Sequence, residues 1–128
     1  MMQSDEFIEE VRERGGMVSI EDADAAVVAV LSVLARRDLC GEETKFAAQL
    51  PAGVGDLFSR DGAPGQHFSA GSFLDRIQQR LGGTDQEANM AARAVLSTAA
   101  DSVTDGQRAA FINRLPSDFT FFCQLDMP

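Results

Sequence analysis

The sequence predicts an all-α protein in which two similar antiparallel helical units, of about four helices each, are fused into one compact bundle with pseudo-two-fold symmetry. Three observations predict this class. Apolar residues recur at helical spacing, paired glycines and capping sequences interrupt them, and the same pattern occurs twice along the 128 residues. We expect one domain over residues 1–128, with repeats at 5–58 and 71–123 joined by a loop at 59–70.

The duplication is visible when the sequence is compared with itself. Residues 5–14 align with residues 71–80 at an offset of 66, and Phe, two aliphatic positions and Arg coincide. After a one-residue deletion the offset becomes 65, and Leu50-Pro51 then aligns with Leu115-Pro116. Because a unit of under about 60 residues is marginally stable alone, we expect both units to share one core.

Each unit begins with a short amphipathic helix. Phe7, Ile8 and Val11 share one face of the first, and the corresponding helix repeats that face. Glycine enters the left-handed C-terminal cap without steric cost, so the paired glycines predict where both helices end. The apolar face of the second copy and the two glycine pairs are Phe73, Leu74, Ile77, Leu81, Gly15-Gly16 and Gly82-Gly83.

The second helix of each unit is predicted to start at a capping box, Ser19 with Asp22 and Thr84 with Glu87. In the first copy this helix has little polar face, which predicts that it runs through the centre of the bundle. The second copy has smaller side chains at the same places. The predicted buried positions are Ala23, Ala26, Val27, Val30, Leu31 and Leu34, and then Ala88, Ala91, Ala92, Val95, Leu96 and Ala99.

A third helix is predicted from near Gly41 to Leu50 in the first unit and from near Gly106 to Leu115 in the second. The following proline disfavours helical geometry in the residue before it, so each helix should end there. A last short turn carries Val54, Leu57 and Phe58 in the first unit, and Phe119 and Phe122 in the second.

Residues 73–82, 94–97 and 41–51 are three stretches with a recognisable pattern, and the last of them ends in Ala48-Gln49-Leu50-Pro51. Together they resemble a known bacterial family, the domain of unknown function numbered twenty-two sixty-seven, which has a similar repeat ending in Ala-x-Gln-Leu-Pro. The resemblance spans nearly the whole chain and implies an all-helical tandem fold with no agreed activity. Where similar proteins finish with Asp-Tyr-Arg-Glu-Leu-Phe, this chain carries apolar rings at residues 119, 121 and 122.

Charge and composition restrict the partners. Eleven basic and twenty acidic residues give a net charge of -9, which disfavours nucleic acid and anionic membranes as partners and is compatible with a basic protein partner or simple solubility. No apolar run approaches about 18 residues and no signal peptide is recognisable, so we predict a cytoplasmic protein. Cys40 and Cys123 are isolated, which favours reduced, packed thiols and leaves a disulfide open.

No residue pattern predicts catalysis, a metal or a cofactor. His67 is the only histidine and has no ligand at metal-binding spacing beside it, so it is interpreted as a loop residue. Ser69 lies in a stretch that lacks the first glycine of a nucleophile elbow and is interpreted as a helix cap. The acidic first helix is interpreted as a solvated face that suits the helix dipole; its residues are Glu6, Glu9, Glu10 and Glu13.

The functional prediction is based on the phenylalanines of the last predicted turn. Phe121 replaces Asp56 of the first copy, and no short turn can bury Phe119, Phe121 and Phe122 on one side. Either the terminus packs between the copies as part of the core, or one ring projects as an exposed apolar patch that binds a partner or a second copy. We therefore predict a non-catalytic helical interaction module. The alternative is a carrier of a small apolar ligand in a cavity beside the alanine-rich helix at 88–99.

Overall fold

The structure, a computed structural model, describes residues 3–34, 50, 54 and 70–114, except for the side chains of residues 70 and 110–114. These residues contain five α-helices and no strand, which confirms the all-helical class for this part of the chain. The helices are α1 (Ser4–Gly15), α2 (Ile20–Leu34), α3 (Ala70–Leu81), α4 (Asp85–Asp101) and α5 (Asp105–Arg114).

The helices α1 and α3 form where the sequence predicts them. Phe7 of α1 and Phe73 of α3 are completely buried. Gly16 caps α1 in the left-handed region with φ 64°, and Gly82 follows α3 with φ 75°, as predicted from the glycine pairs. The assignment of Leu81 to the buried face is wrong, because its side chain is 36% exposed. Leu81 is the last residue of α3, where the chain turns away at the edge of the bundle.

The helices α2 and α4 begin at the predicted caps. The backbone N–H of Asp22 donates to Ser19 Oγ at 3.1 Å. At Thr84 the capping box is complete, since Glu87 N–H donates to Thr84 Oγ1 and Thr84 N–H donates to Glu87 Oε1, each at 3.1 Å. The twelve predicted core positions of α2 and α4 are all buried.

The two capped helices form the centre of the bundle. They pack on each other, α1 packs against both of them, and so does α3. The first and last alanines of the predicted α4 face, Ala88 and Ala99, are at most 1% exposed. Contact is close on the α1 side, since a Cβ on Gly15 would lie 3.3 Å from the Cβ of Ala94. Small side chains thus let α1 approach α4.

The described part of the third helix is α5, which packs against α4 and begins one residue before Gly106. Its N-terminus is capped by Thr104, whose Oγ1 accepts from Gln107 N–H at 3.3 Å. The counterpart at 41–49 lies outside the described residues, although Leu50 and Val54 belong to the buried core. None of the helices in the described part of the chain has the length and apolar character that a bilayer span requires.

Candidate functional site

An open groove of about 540 Å³ lies between the turn that joins α1 to α2 and the turn that joins α3 to α4. We call it the turn groove. Its volume falls within the range of roughly 300–1,000 Å³ that is typical of small-ligand sites. Its lining residues are Gly15, Gly16, Met17, Val18, Asp22, Ala25, Ala26, Leu81, Gly82, Glu87, Met90 and Ala91.

The turn groove is lined by positions that align between the two predicted repeats. At the offset of 65, Asp22 corresponds to Glu87 and Ala26 to Ala91, and all four residues line the groove. The glycine turns that follow α1 and α3 also correspond to each other, and both contribute to the lining of the groove. A Cβ on Gly16 would meet no atom within 4 Å, so this wall of the groove is open to solvent.

Apolar side chains converge on this groove while remaining exposed. Val18 is 92% exposed, Met90 43% and Leu81 36%. Scattered exposed apolar residues are normal on a soluble protein, but three that share one groove form a candidate binding surface. The half-buried Met17 lies beside them, and the flexible thioether of methionine adapts to differently shaped ligands.

A polar network links α1 to α4 and α5 at another place. Arg14 Nε donates to Glu10 Oε1 at 2.9 Å, Arg14 Nη1 donates to Ser97 Oγ at 3.0 Å, and Arg14 Nη2 lies 3.0 Å from Asp101 Oδ2. Arg108 Nε approaches the other carboxylate oxygen of Asp101 at 3.6 Å. Burial alone would lower the pKa of Arg14, but the hydrogen bonds to Glu10 and Asp101 outweigh it and raise that pKa.

The role of this Arg14 network is structural. Ser97 is buried, and its hydroxyl also donates to the carbonyl of Ala94 at 3.3 Å, so the hydroxyl is satisfied as donor and as acceptor. Every charge in the network faces one of opposite sign. The network therefore connects α1 to α4 rather than presenting a group to a ligand.

The acidic face of α1 is partly paired. Arg12 Nε donates to Glu9 Oε2 at 2.9 Å, and this hydrogen bond lowers the pKa of Glu9 below its ordinary value. Glu10 belongs to the Arg14 network. Among the described side chains, no three His, Cys, Asp or Glu residues lie close enough together to hold a metal ion.

The site residues predicted from the sequence lie elsewhere in the chain. Phe119, Phe121 and Phe122 are outside the described residues, so the patch at the terminus stays a prediction. The same holds for His67 and Ser69. The turn groove is not predicted from the sequence, because Asp22, Glu87 and the glycine pairs are assigned to caps and turns, and Ala26, Leu81 and Ala91 to buried helix faces. Met90 at the position of Ala25 was the available signal, since a large apolar side chain there is unnecessary for capping.

The comparison with protein families decides the classification. The model of the family described as Uncharacterized conserved protein (DUF2267) matches residues 4–122. The chain belongs to this family. The resemblance indicated by residues 73–82, 94–97 and 41–51 is thereby confirmed, and the match includes the five helices that lie in the described part of the chain. No curated protein matches the chain.

Proposed function

We propose that this DUF2267 protein is a non-catalytic interaction module, and that the turn groove binds an apolar segment of a partner protein. The observation that carries the proposal is the convergence of Val18, Leu81 and Met90, all exposed, on one groove of about 540 Å³. Apolar anchors that fill a groove supply most of the free energy of binding at protein interfaces. Ala26 and Ala91 leave room for such an anchor because their side chains are short.

The charges around the groove indicate the chemistry of the partner. Asp22 and Glu87 line the groove, and Glu21 and Asp85 accompany them in the first turns of α2 and α4. The whole chain carries a net charge of -9. Complementary charge speeds association and selects the partner, so the segment is expected to carry Lys or Arg beside its apolar anchor.

The proposal includes the finer arrangement of the fold. We infer a single domain over 1–128 with two repeats related by a pseudo-two-fold axis. In support, α1 packs against α4 as α3 packs against α2, while α2 and α4 pack on each other. A two-fold axis between the central helices would generate this reciprocal pattern. Self-association through Phe119, Phe121 and Phe122 and a cytoplasmic location remain predictions beside it.

The test uses the methionine methyl groups of the groove as reporters. Methyl-labelled protein is titrated with a synthetic peptide that carries leucine and phenylalanine anchors flanked by lysines, and with an analogue flanked by glutamates. Saturable shifts of the Met17 and Met90 methyl signals are expected with the basic peptide alone. Absence of saturable shifts with either peptide would contradict the proposal.

Two matched variants locate the binding. Met90→Asp places a charge in the groove, whereas Val28→Asp places the same charge on an exposed apolar position of α2 that does not line it. Peptide binding is expected to weaken by roughly a hundredfold in Met90→Asp and to be preserved in Val28→Asp. The Met17 methyl group is present in both variants, so its signal reports peptide binding in each of them. Equal weakening in the two variants would locate the contact outside the groove.

The alternative, a carrier of a small apolar ligand, is favoured by the groove volume of about 540 Å³. In this proposal the ligand lies against Ala91, at the start of the alanine-rich helix α4. A neutral aliphatic alcohol, octanol, is the probe. Saturable shifts of the same methyl groups by octanol, with none by the basic peptide, would favour the carrier over the interaction module.

A further inference from the structure

Both methionines in the described part of the chain line the turn groove, and Met90 is the more exposed of the two. Met90 lies on α4, and 43% of its surface is exposed to solvent. In the sequence alignment at the offset of 65, the corresponding residue of α2 is Ala25, which is exposed and also lines the groove. A short side chain therefore serves at this place on a central helix, and the long thioether of Met90 adds to the surface rather than to the core.

Met17 is held more firmly, by the turn that follows α1. Its backbone N–H donates to the carbonyl oxygen of Arg12 at 3.0 Å and completes the cap of that helix. Its side chain is half-buried and packs against the core, and a Cβ on Gly15 would lie 2.8 Å from its methyl carbon. A dissolved reagent therefore has less access to Met17 than to Met90, and a polar group on the Met17 sulfur would disturb packing against the core.

We propose that Met90 is a site of reversible oxidation, at which hydrogen peroxide converts the thioether to a sulfoxide and thereby prevents the turn groove from binding an apolar segment. The modification itself needs only an accessible sulfur, whereas its effect on binding rests on the proposed function. Hydrogen peroxide is uncharged, so the acidic residues around the groove do not repel it. Susceptibility of a methionine to oxidation follows its exposure, which favours Met90 over Met17.

The reaction transfers one oxygen atom from the peroxide to the sulfur. A lone pair of the sulfur attacks one peroxide oxygen, the O–O bond breaks, and the other oxygen leaves as hydroxide. The hydroxide takes the proton of the transferred hydroxyl group, which gives water and the sulfoxide. Sulfur loses two electrons and the peroxide gains them. In the reverse direction, a methionine sulfoxide reductase restores the thioether; a dithiol supplies two electrons, becomes a disulfide, and the oxygen leaves as water.

The new sulfoxide oxygen would be poorly accommodated beneath an apolar ligand. The backbone N–H groups of Gly16 and Met17 already donate to carbonyl oxygens of α1, and that of Gly82 donates to a carbonyl oxygen of α3. Asp22 and Glu87 also line the groove, and ionised carboxylates only accept hydrogen bonds. A polar oxygen that loses its water without gaining a donor weakens binding. Oxidation therefore opposes the burial of an apolar anchor in this groove.

The first experiment measures which methionine reacts. The folded full chain is treated with hydrogen peroxide, dithiothreitol then reverses reversible cysteine oxidation, and the sulfoxide at each methionine is quantified by mass spectrometry. Met90 is expected to react about threefold or more faster than Met17 in the folded protein, and the two at equal rates in concentrated urea. Equal rates in the folded protein, or faster reaction of Met17, would overturn the proposal.

The stability of the oxidised protein is measured on Met17→Leu, in which Met90 is the one methionine of the groove. After oxidation its thermal unfolding temperature is expected to equal that of the unreacted variant, because Met90 is exposed. Unfolding of the variant on oxidation would show that Met90 supports the core, and would also overturn the proposal.

The second experiment measures the affinity for the lysine-flanked peptide before oxidation, after oxidation, and after treatment with methionine sulfoxide reductases for both sulfoxide epimers. The affinity is expected to fall about tenfold or more on oxidation and to return on reduction. Met90→Gln, whose amide introduces a polar oxygen as the sulfoxide does, is expected to weaken binding to a similar extent without peroxide. Unchanged affinity of a protein fully oxidised at Met90 would overturn the effect on binding.

Met90→Leu is the matched control, because it removes the sulfur and retains an apolar side chain of similar volume. Its peptide affinity, from whatever starting value, is expected to change by less than about twofold on peroxide treatment, since leucine forms no sulfoxide. An equal loss in this variant and in the unmodified sequence would assign the effect to another residue and overturn the proposal. If the reduced protein does not bind the peptide, the proposed function fails, and the reaction rates alone then decide whether Met90 is a modification site.

Discussion

Replacing Arg14 by Gln tests whether the Arg14 network fastens α1 to α4. The side chain of Arg14 is 17% exposed, whereas those of its partners Glu10 and Asp101 are 37% and 46% exposed. Because both carboxylates retain contact with water, each ion pair is discounted to about 0.5 kcal/mol. The hydrogen bond to the buried Ser97 adds about 1 kcal/mol. We therefore expect the free energy of unfolding to fall by about 2 kcal/mol.

The assay is urea unfolding followed by far-ultraviolet circular dichroism, since the chain contains neither Trp nor Tyr as a fluorescent reporter. Arg12→Gln is the control on the same helix; it breaks only the exposed pair with Glu9 and is expected to leave the unfolding midpoint nearly unchanged. A double-mutant cycle with Asp101→Asn measures the coupling between α1 and α4. If Arg14→Gln costs no more than Arg12→Gln, or if the cycle gives no coupling, the network does not hold the helices together.

Three further predictions concern local features of the fold. Thr84→Ala should lower the free energy of unfolding by about 1 kcal/mol, measured by the same urea titration, because the capping box of α4 loses its hydroxyl. Ala92→Leu should cost about 1–3 kcal/mol, since Ala92 is completely buried and a larger side chain overpacks the core; an unchanged midpoint would contradict that packing. In Arg12→Gln, the pKa of Glu9 should rise toward its ordinary value in a carboxyl titration followed by nuclear magnetic resonance. A lowered pKa stabilises the fold above the unfolded-state pKa, and this contribution is lost as the pH falls through the folded-state pKa.

Structural features that depend on residues within one helical turn can be predicted from this sequence, and features that depend on residues far apart in the chain cannot. The left-handed Gly16 and the capping box at Thr84 depend on residues within one helical turn, and both were predicted correctly. The burial of Phe7 and Phe73 could also be predicted, since each ring lies on the apolar face of its own amphipathic helix. Leu81 lies four residues after Ile77 on the same predicted face, but it is exposed and lines the turn groove. The periodicity of apolar residues predicts which face of a helix is buried, but not where along the helix the burial ends.

The turn groove could not be predicted from the sequence either, because the residues that line it are far apart in the chain. Val18 and Met90 are 72 residues apart in the sequence, and nothing local to either residue indicates that they share a surface. Their proximity results from the packing of α2 on α4, which brings the starts of the two helices to one groove. The alignment of the two predicted repeats does contain part of this information, because it places Asp22 and Glu87 at corresponding positions.

The difference between Glu10 and Arg76, which align at the offset of 66, shows where the two predicted repeats can differ in sequence. Positions on α2 and α4 that lie in the shared core are constrained by packing, since a change in volume there costs about 1–3 kcal/mol. The positions of Glu10 and Arg76 are half-buried on the flanking helices, where an ion pair contributes no more than about 1 kcal/mol. Reversing the charge at such a position therefore changes the free energy of unfolding only slightly and can change what the surface binds. If the predicted repeats share one core, differences between them are therefore expected on the flanking helices, as at Glu10 and Arg76.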